Sequence, residues 1–347
     1  MLEHAFRGKQ RLIEIGDPSC YLKPMRRCVF DVLIARVCGG SKLTPFVAST
    51  HSVHWREGRL NLAATEANLM NHIASLSLTT YPDPTPPKIA ANAVAVVKQI
   101  GAALHAVAIT VDIPDVSNAL SSYLLDLPNK IREVEAASRK CGTTLLQAVA
   151  REASQSGVTL TTQEITAPPA LMGDVAAKES RYFDLCLAGW ESDNQAARMV
   201  AEAILFGSGR PTIILPDAAD IGVLGQVVVA WDGSRVAARA VADAQPFLER
   251  ASAITVVTVT DEKPLPGRDI GERLAQSLRT RGLAAGASSI QIDGRSIGTA
   301  LQEHALKIGG NLLVMGGYGH SRIRDFVLGG ATEGILSDLR LPVLLSH

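Results

Sequence analysis

Glycines at 316, 317, 319, 329 and 330 crowd the stretch "VMGGYGHSRIRDFVLGGATEG", Val314 to Gly334, which lies directly behind a run of Leu and Val. A loop built from glycine can turn its N–H groups toward an anion and take φ > 0 where a turn demands it. A helix starting near Gly330 would add the positive end of its dipole. These features together spell a phosphate cradle, with the phosphates along Gly316, Gly319, Gly329 and Gly330. Arg322 and Arg324 bring positive charge to the same loop, although basic residues in surface loops are more often simply solvated. Asp232 closes another apolar run, "QVVVAWDGS", and offers a carboxylate to the amino hydrogens of an adenine-type base.

Other chemistries are poorly supplied. No Gly-x-x-x-x-Gly-Lys-Ser/Thr is present, and Arg322 follows Gly317-x-Gly319 where the dinucleotide fingerprint needs a third glycine. His320-Ser321 could suggest a base and nucleophile, but adjacent loop residues rarely point together and no carboxylate is placed to orient the His, so no catalytic residue is assigned. His304 reads as a surface residue of a helix. His51-x-x-His54 has a metal-like spacing without a second ligand pair, and no metal site is assigned. The five cysteines, at 20, 28, 38, 141 and 186, form no Cys-x-x-Cys pair, which points to reduced, mostly structural thiols.

A positioning framework is legible around these residues. The 347 residues suit two domains, and 34 basic against 34 acidic residues give no electrostatic case for nucleic acid. No segment approaches the roughly 20 apolar residues that span a bilayer, and the start, Met-Leu-Glu-His, lacks an export signal, so a soluble cytoplasmic chain is expected. Residues 1–69 hold three of the cysteines and an excess of Lys and Arg; they stand as an unassigned N-terminal extension read as dispensable and disordered.

From Met70 onward, short apolar runs alternate with helical periodicity. Strands are expected at Ile73–Leu78, Ala103–Val111, Val158–Ile165, Asp184–Ala188 and "PTIILP". Helices fall between them, with Ile89, Ala93, Val97 and Ile100 on one face of the first. The pattern restarts with "QVVVAWDGS" and a helix carrying Ala237, Ala240, Val241, Ala244 and Leu248, which Pro246 should kink. It continues through "ITVVTV", a helix over 268–281, a strand at "SSIQID", a helix over 297–307, "NLLVM", a helix over 330–339, and "PVLLS".

Strands lacking polar alternation and separated by helices specify an α/β fold, parallel and covered on both faces. "DLCLAGW" pairs with "NLLVMGG", "GRPTIILP" with "LRLPVLLS", and "LTTYPDPTP" with "VVAWDGSRV", in the same order in both halves. Two tandem doubly wound, Rossmann-like five-stranded sheets follow, over 70–218 and 222–347. With strand order 3-2-1-4-5, Asp232 and the glycine loop flank one crevice. The closing strands "PTIIL" and "PVLLS" leave edges able to pair in a pseudo-twofold arrangement.

Met315-Gly316-x-x-Gly319, then nine residues and Gly329, closed by "PVLLS" and preceded by "VAWDGS", resembles the universal stress protein family, in its tandem-domain bacterial form. The resemblance covers roughly residues 70–347 and is stronger in the second half. It implies a stress-response protein holding ATP or another adenine nucleotide. Asp232 and Val257 would serve the adenine end; Met315, Gly316, Gly319, Gly329 and Gly330 would serve the phosphates. Mg²⁺ would arrive on the nucleotide's own phosphates. It also implies an intramolecular pseudo-dimer of the two halves, with room for a homodimer.

Gly330 departs from the family pattern, in which nucleotide binders usually have Ser or Thr, so a hydroxyl donor to phosphate is missing. In the first half Gly189 is followed by Trp190-Glu191-Ser192, the second glycine is absent, and Glu191 puts negative charge where phosphate would sit. That half is expected to carry no nucleotide, with Asp83 a turn residue between Pro82 and Pro84. The alternatives are a slow ATPase or nucleotidyl transferase on the same fold, and an interaction protein without a ligand.

Overall fold

Val227–Val229 and Leu312–Met315 are buried without polar alternation because helices cover both faces of the sheet they enter. The computed structural model describes residues 72–114, 127–191, 193–217, 221–317 and 330–347. The chain divides into two units, Met1–Thr65 and Glu66–His347, and every described residue lies in the second. The expectations for residues 1–69, including His51, His54 and the first three cysteines, fall outside the described residues.

The first half runs β1 (Ile73–Thr79), α1 (Lys88–Ile100), β2 (Ala103–Val111), α2 (Leu127–Ser156), β3 (Leu160–Ala167), α3 (Met172–Ser180), β4 (Leu185–Trp190), α4 (Gln195–Gly207) and β5 (Thr212–Pro216). The second runs β6 (Gln226–Ala230), α5 (Arg235–Asp243), α6 (Gln245–Leu248), β7 (Ala253–Val259), α7 (Ile270–Thr280), β8 (Ala285–Ile290), α8 (Ile297–Lys307), β9 (Leu312–Gly316), α9 (Gly330–Leu336) and β10 (Val343–Ser346). Pro246 acts as expected: the helical stretch breaks at Ala244, and the proline falls in the first turn of α6.

Among the described residues the strands form one ten-stranded sheet in the order β3-β2-β1-β4-β5-β10-β9-β6-β7-β8. Each half therefore reads 3-2-1-4-5, with parallel pairing inside it. The halves join where β5 and β10 pair antiparallel, with Leu344 opposite Ile213. Successive strand residues serve opposite faces, as the two-residue period requires. Val227 and Val229 join the core under α1, α2 and α5–α7, while Val228 joins the core under α3, α4, α8 and α9.

The strand expected at "SSIQID" lies earlier, at Ala285–Ile290. It is an outer strand with much of its surface exposed, so small residues such as Ala285 and Gly286 are tolerated and no apolar run marks its start. The last helix ends at Leu336, short of the expected Leu339.

Candidate functional site

The second half reverses strand order between β6 and β9, because β7 and β8 lie on one side of β6 and β9 and β10 on the other. Chain connections diverge at such a point and leave a crevice beyond the carboxyl ends of the strands. A cavity of about 190 Å³ occupies that place. Trp231, Asp232 and Ser234 reach it from behind β6, Val257 and Val259 from β7, Glu262, Lys263 and Leu265 from the following loop, and Ile297 and Leu301 from α8. Met315 and Gly316 close it on the β9 side, with Ala331 and Thr332 of α9.

Asp232 is the most constrained polar group there. Its Oδ1 accepts the backbone N–H of Ser234 at 2.9 Å, and its Oδ2 accepts the Lys263 ammonium at 2.7 Å. Burial is the largest single influence on this carboxyl and favours the neutral form. Hydrogen bonds from Lys263 and from the Ser234 hydroxyl and N–H, with the charge of Lys263, together outweigh it and hold the pKa below the ordinary Asp value. The carboxylate is thus anionic at neutral pH. Ser234 also caps α5 by accepting the N–H of Ala237 at 3.2 Å, which fixes the turn that carries Asp232.

Of the residues expected at the site, the structure brings Asp232, Val257, Met315 and Gly316 together. Gly330 is the first residue of α9; Gly319, Arg322 and Gly329 lie outside the described residues, as do His320, Ser321 and Arg324. Gly316 has a reason to be glycine other than phosphate approach. A Cβ there would stand 2.6 Å from the Val236 carbonyl carbon and 2.7 Å from the Ala237 nitrogen, so α5 can cross the end of β9 only over a bare backbone. His304 does not line the crevice; its Nε2 lies 3.3 Å from the Ser288 hydroxyl, and burial, with the nearby charge of Lys307, lowers its pKa.

The sequence reading missed Lys263 and Glu262. The rule that singled out Asp232, position just past a strand's carboxyl end, applies equally to the loop "TDEKPLPG" after β7. Among the described residues no group of three or more His, Cys, Asp or Glu side chains is placed to hold a metal ion.

The matching place in the first half is built differently. A Cβ on Gly189 would meet the Ile89 side chain of α1 at 2.9 Å, repeating the contact of Gly316 with α5. Trp190 follows and is buried, its indole N–H donating to the Leu336 carbonyl of α9 at 2.8 Å. Asn194 caps α4 through the N–H of Ala197 and donates to the Asp83 carbonyl at 3.2 Å. Glu191 accepts from Asn194 Nδ2 at 3.3 Å. Asp83 thereby enters the packing through its backbone.

Fold and crevice together define a doubly wound α/β protein with a cleft at its topological switch point. Residues 224–347 match the family model described as the Universal stress protein family. No protein of curated function matches the chain. A universal stress protein from Archaeoglobus fulgidus DSM 4304 superposes with a TM-score of 0.56 at 16% identity, covering 78% of this chain and 95% of that one. A protein of the universal stress protein family from Burkholderia pseudomallei is 22% identical, with a TM-score of 0.27 and coverage of 36% and 96%. A universal stress protein in complex with cAMP is 22% identical, with a TM-score of 0.29 and coverage of 36% and 99%. At such identities the first of these likenesses speaks for the fold. No helix among the described residues is long and apolar enough to cross a membrane.

Proposed function

We propose that the chain binds an adenine nucleotide, ATP foremost, in the crevice of its second half and acts as a nucleotide-responsive module in stress adaptation. One observation carries this reading: an anionic Asp232 faces an otherwise largely apolar cleft at the reversal of strand order. A base seated between Val257, Leu301 and Met315 would offer its amino group to Asp232. At about 190 Å³ the cleft is smaller than the ~300–1,000 Å³ typical of complete ligand pockets. It therefore suits the base and ribose, with the phosphates extending past Gly316 toward Gly319, Arg322, Gly329 and Gly330, and Mg²⁺ carried by those phosphates.

On the same reading residues 70–218 form a degenerate first domain and 222–347 the binding domain, in a protein of the cytoplasm. The two would act as an intramolecular pseudo-dimer, which the β5–β10 pairing and the Trp190–Leu336 hydrogen bond support. Calorimetry with ATP should give one site per chain, and mass spectrometry of small molecules released from the purified protein should find an adenine nucleotide. Two equivalent sites, or no binding, would refute the assignment.

A further inference from the structure

Lys263 is, among the described lining residues, the one cation of the crevice. It is bound to the group that the nucleotide reading assigns to the base. With Oδ1 of Asp232 taken by Ser234 and Oδ2 by Lys263, a base amino group entering the cleft meets a carboxylate already engaged on both oxygens. Both Lys263 and Asp232 line the cavity, so the ammonium and an entering base donor would share one carboxylate.

An ammonium displaced from Asp232 is left to water unless another anion replaces the carboxylate. Glu262 is the other carboxylate lining the cleft, and the remaining described walls are mostly apolar. A ligand that carries its own phosphate solves the problem, because the freed ammonium can bind it as a compact point charge on a flexible four-carbon stem. A neutral nucleoside does not.

Resting on the nucleotide reading, we propose that Lys263 is a specificity-determining gate: it holds Asp232 in the empty crevice and yields it to ligands that bring a phosphate, so that nucleotides are preferred over nucleosides. The Lys263 side chain is 39% exposed and that of Asp232 33%, so the bridge is weak enough for a ligand to break.

The test measures ATP and adenosine affinity by calorimetry in wild type, Lys263→Met and Lys263→Arg. Methionine keeps an unbranched stem and removes the charge. In Lys263→Met, adenosine should bind more tightly by up to about fivefold, the range of an exposed ion pair, because Asp232 is freed. ATP should bind more weakly by a similar factor, so the preference for ATP collapses. Lys263→Arg, which keeps the charge, should retain most of that preference. An unchanged ratio of the two affinities in Lys263→Met, with both ligands still binding, overturns the gate and leaves the nucleotide site standing. Equal behaviour of the Met and Arg variants overturns it too, because stem packing would then be responsible. Wild-type protein that binds neither ligand overturns the gate together with the site.

Discussion

Gly316→Ala places a single methyl group where the end of β9 meets α5. The new Cβ would lie 2.6 Å from the Val236 carbonyl carbon, 2.7 Å from the Ala237 nitrogen and 2.7 Å from a Val236 methyl. Carbon atoms in contact prefer ~3.5–4.0 Å, so helix and strand must separate by about 1 Å. Two of the three obstructing atoms are backbone, and no rotamer change relieves them. Overpacking of this kind costs about 1–3 kcal/mol. Guanidinium unfolding should show that loss as a lower midpoint with an unchanged slope. Gly286→Ala provides the contrast: nothing lies within 4 Å of its Cβ position, and removing a strand glycine should be neutral or stabilise by up to about 1 kcal/mol. Val236, Ala237 and Gly316 all line the crevice, so the displacement should also weaken nucleotide binding. A midpoint for Gly316→Ala equal to wild type, or a Gly286→Ala variant equally damaged, would refute this account of the glycine.

Trp190→Phe keeps an aromatic ring but leaves the buried Leu336 carbonyl without its donor, which should cost about 1–3 kcal/mol in chemical denaturation; a neutral result would show that water replaces the indole. Leu344→Ala, at a fully buried position of β10 opposite Ile213, should cost about 2–5 kcal/mol, and a loss below 1 kcal/mol would mean that the junction of the halves is loosely packed. Asp232 has a folded pKa below its unfolded value, so the folded state binds fewer protons. Its contribution to stability is present above the unfolded pKa of ~3.9 and is lost as pH falls through the folded pKa. The stability difference between wild type and Asp232→Asn should therefore shrink on acidification through pH ~4, and a difference that grows would reverse the sign. His304 also has a folded pKa below its unfolded value of ~6.5, so its site should lose stability as pH falls below ~6.5, and His304→Gln should flatten the pH dependence there.

Element existence was legible wherever burial on both faces wrote itself into the chain. Val227–Val229, Leu312–Met315 and the helix faces of Ile89, Ala93, Val97 and Ile100 are buried as their spacing demands. β8 was misplaced by three residues because an outer strand with much of its surface in water carries little apolar signal. At the site, Asp232 was readable from its place behind a strand, and Lys263 was not, because an ion pair formed by residues 31 apart leaves no periodic trace. Gly316 was found as a glycine, yet its cause is a helix crossing from another part of the chain, visible only in three dimensions.

Joining β5 to β10 also sets an order of events in biosynthesis. β10 follows all nine other strands of the sheet along the chain, yet it belongs at the centre. Until it is made, the first half presents Thr212–Pro216 as a bare apolar edge, the kind of template that recruits foreign strands. Trp190 and its acceptor Leu336 are 146 residues apart; at ~5–20 residues per second, translation leaves that indole unpartnered for on the order of ten seconds. The first half therefore waits with that edge unpaired throughout the interval, and slowing elongation within 217–342 should raise aggregation of the chain.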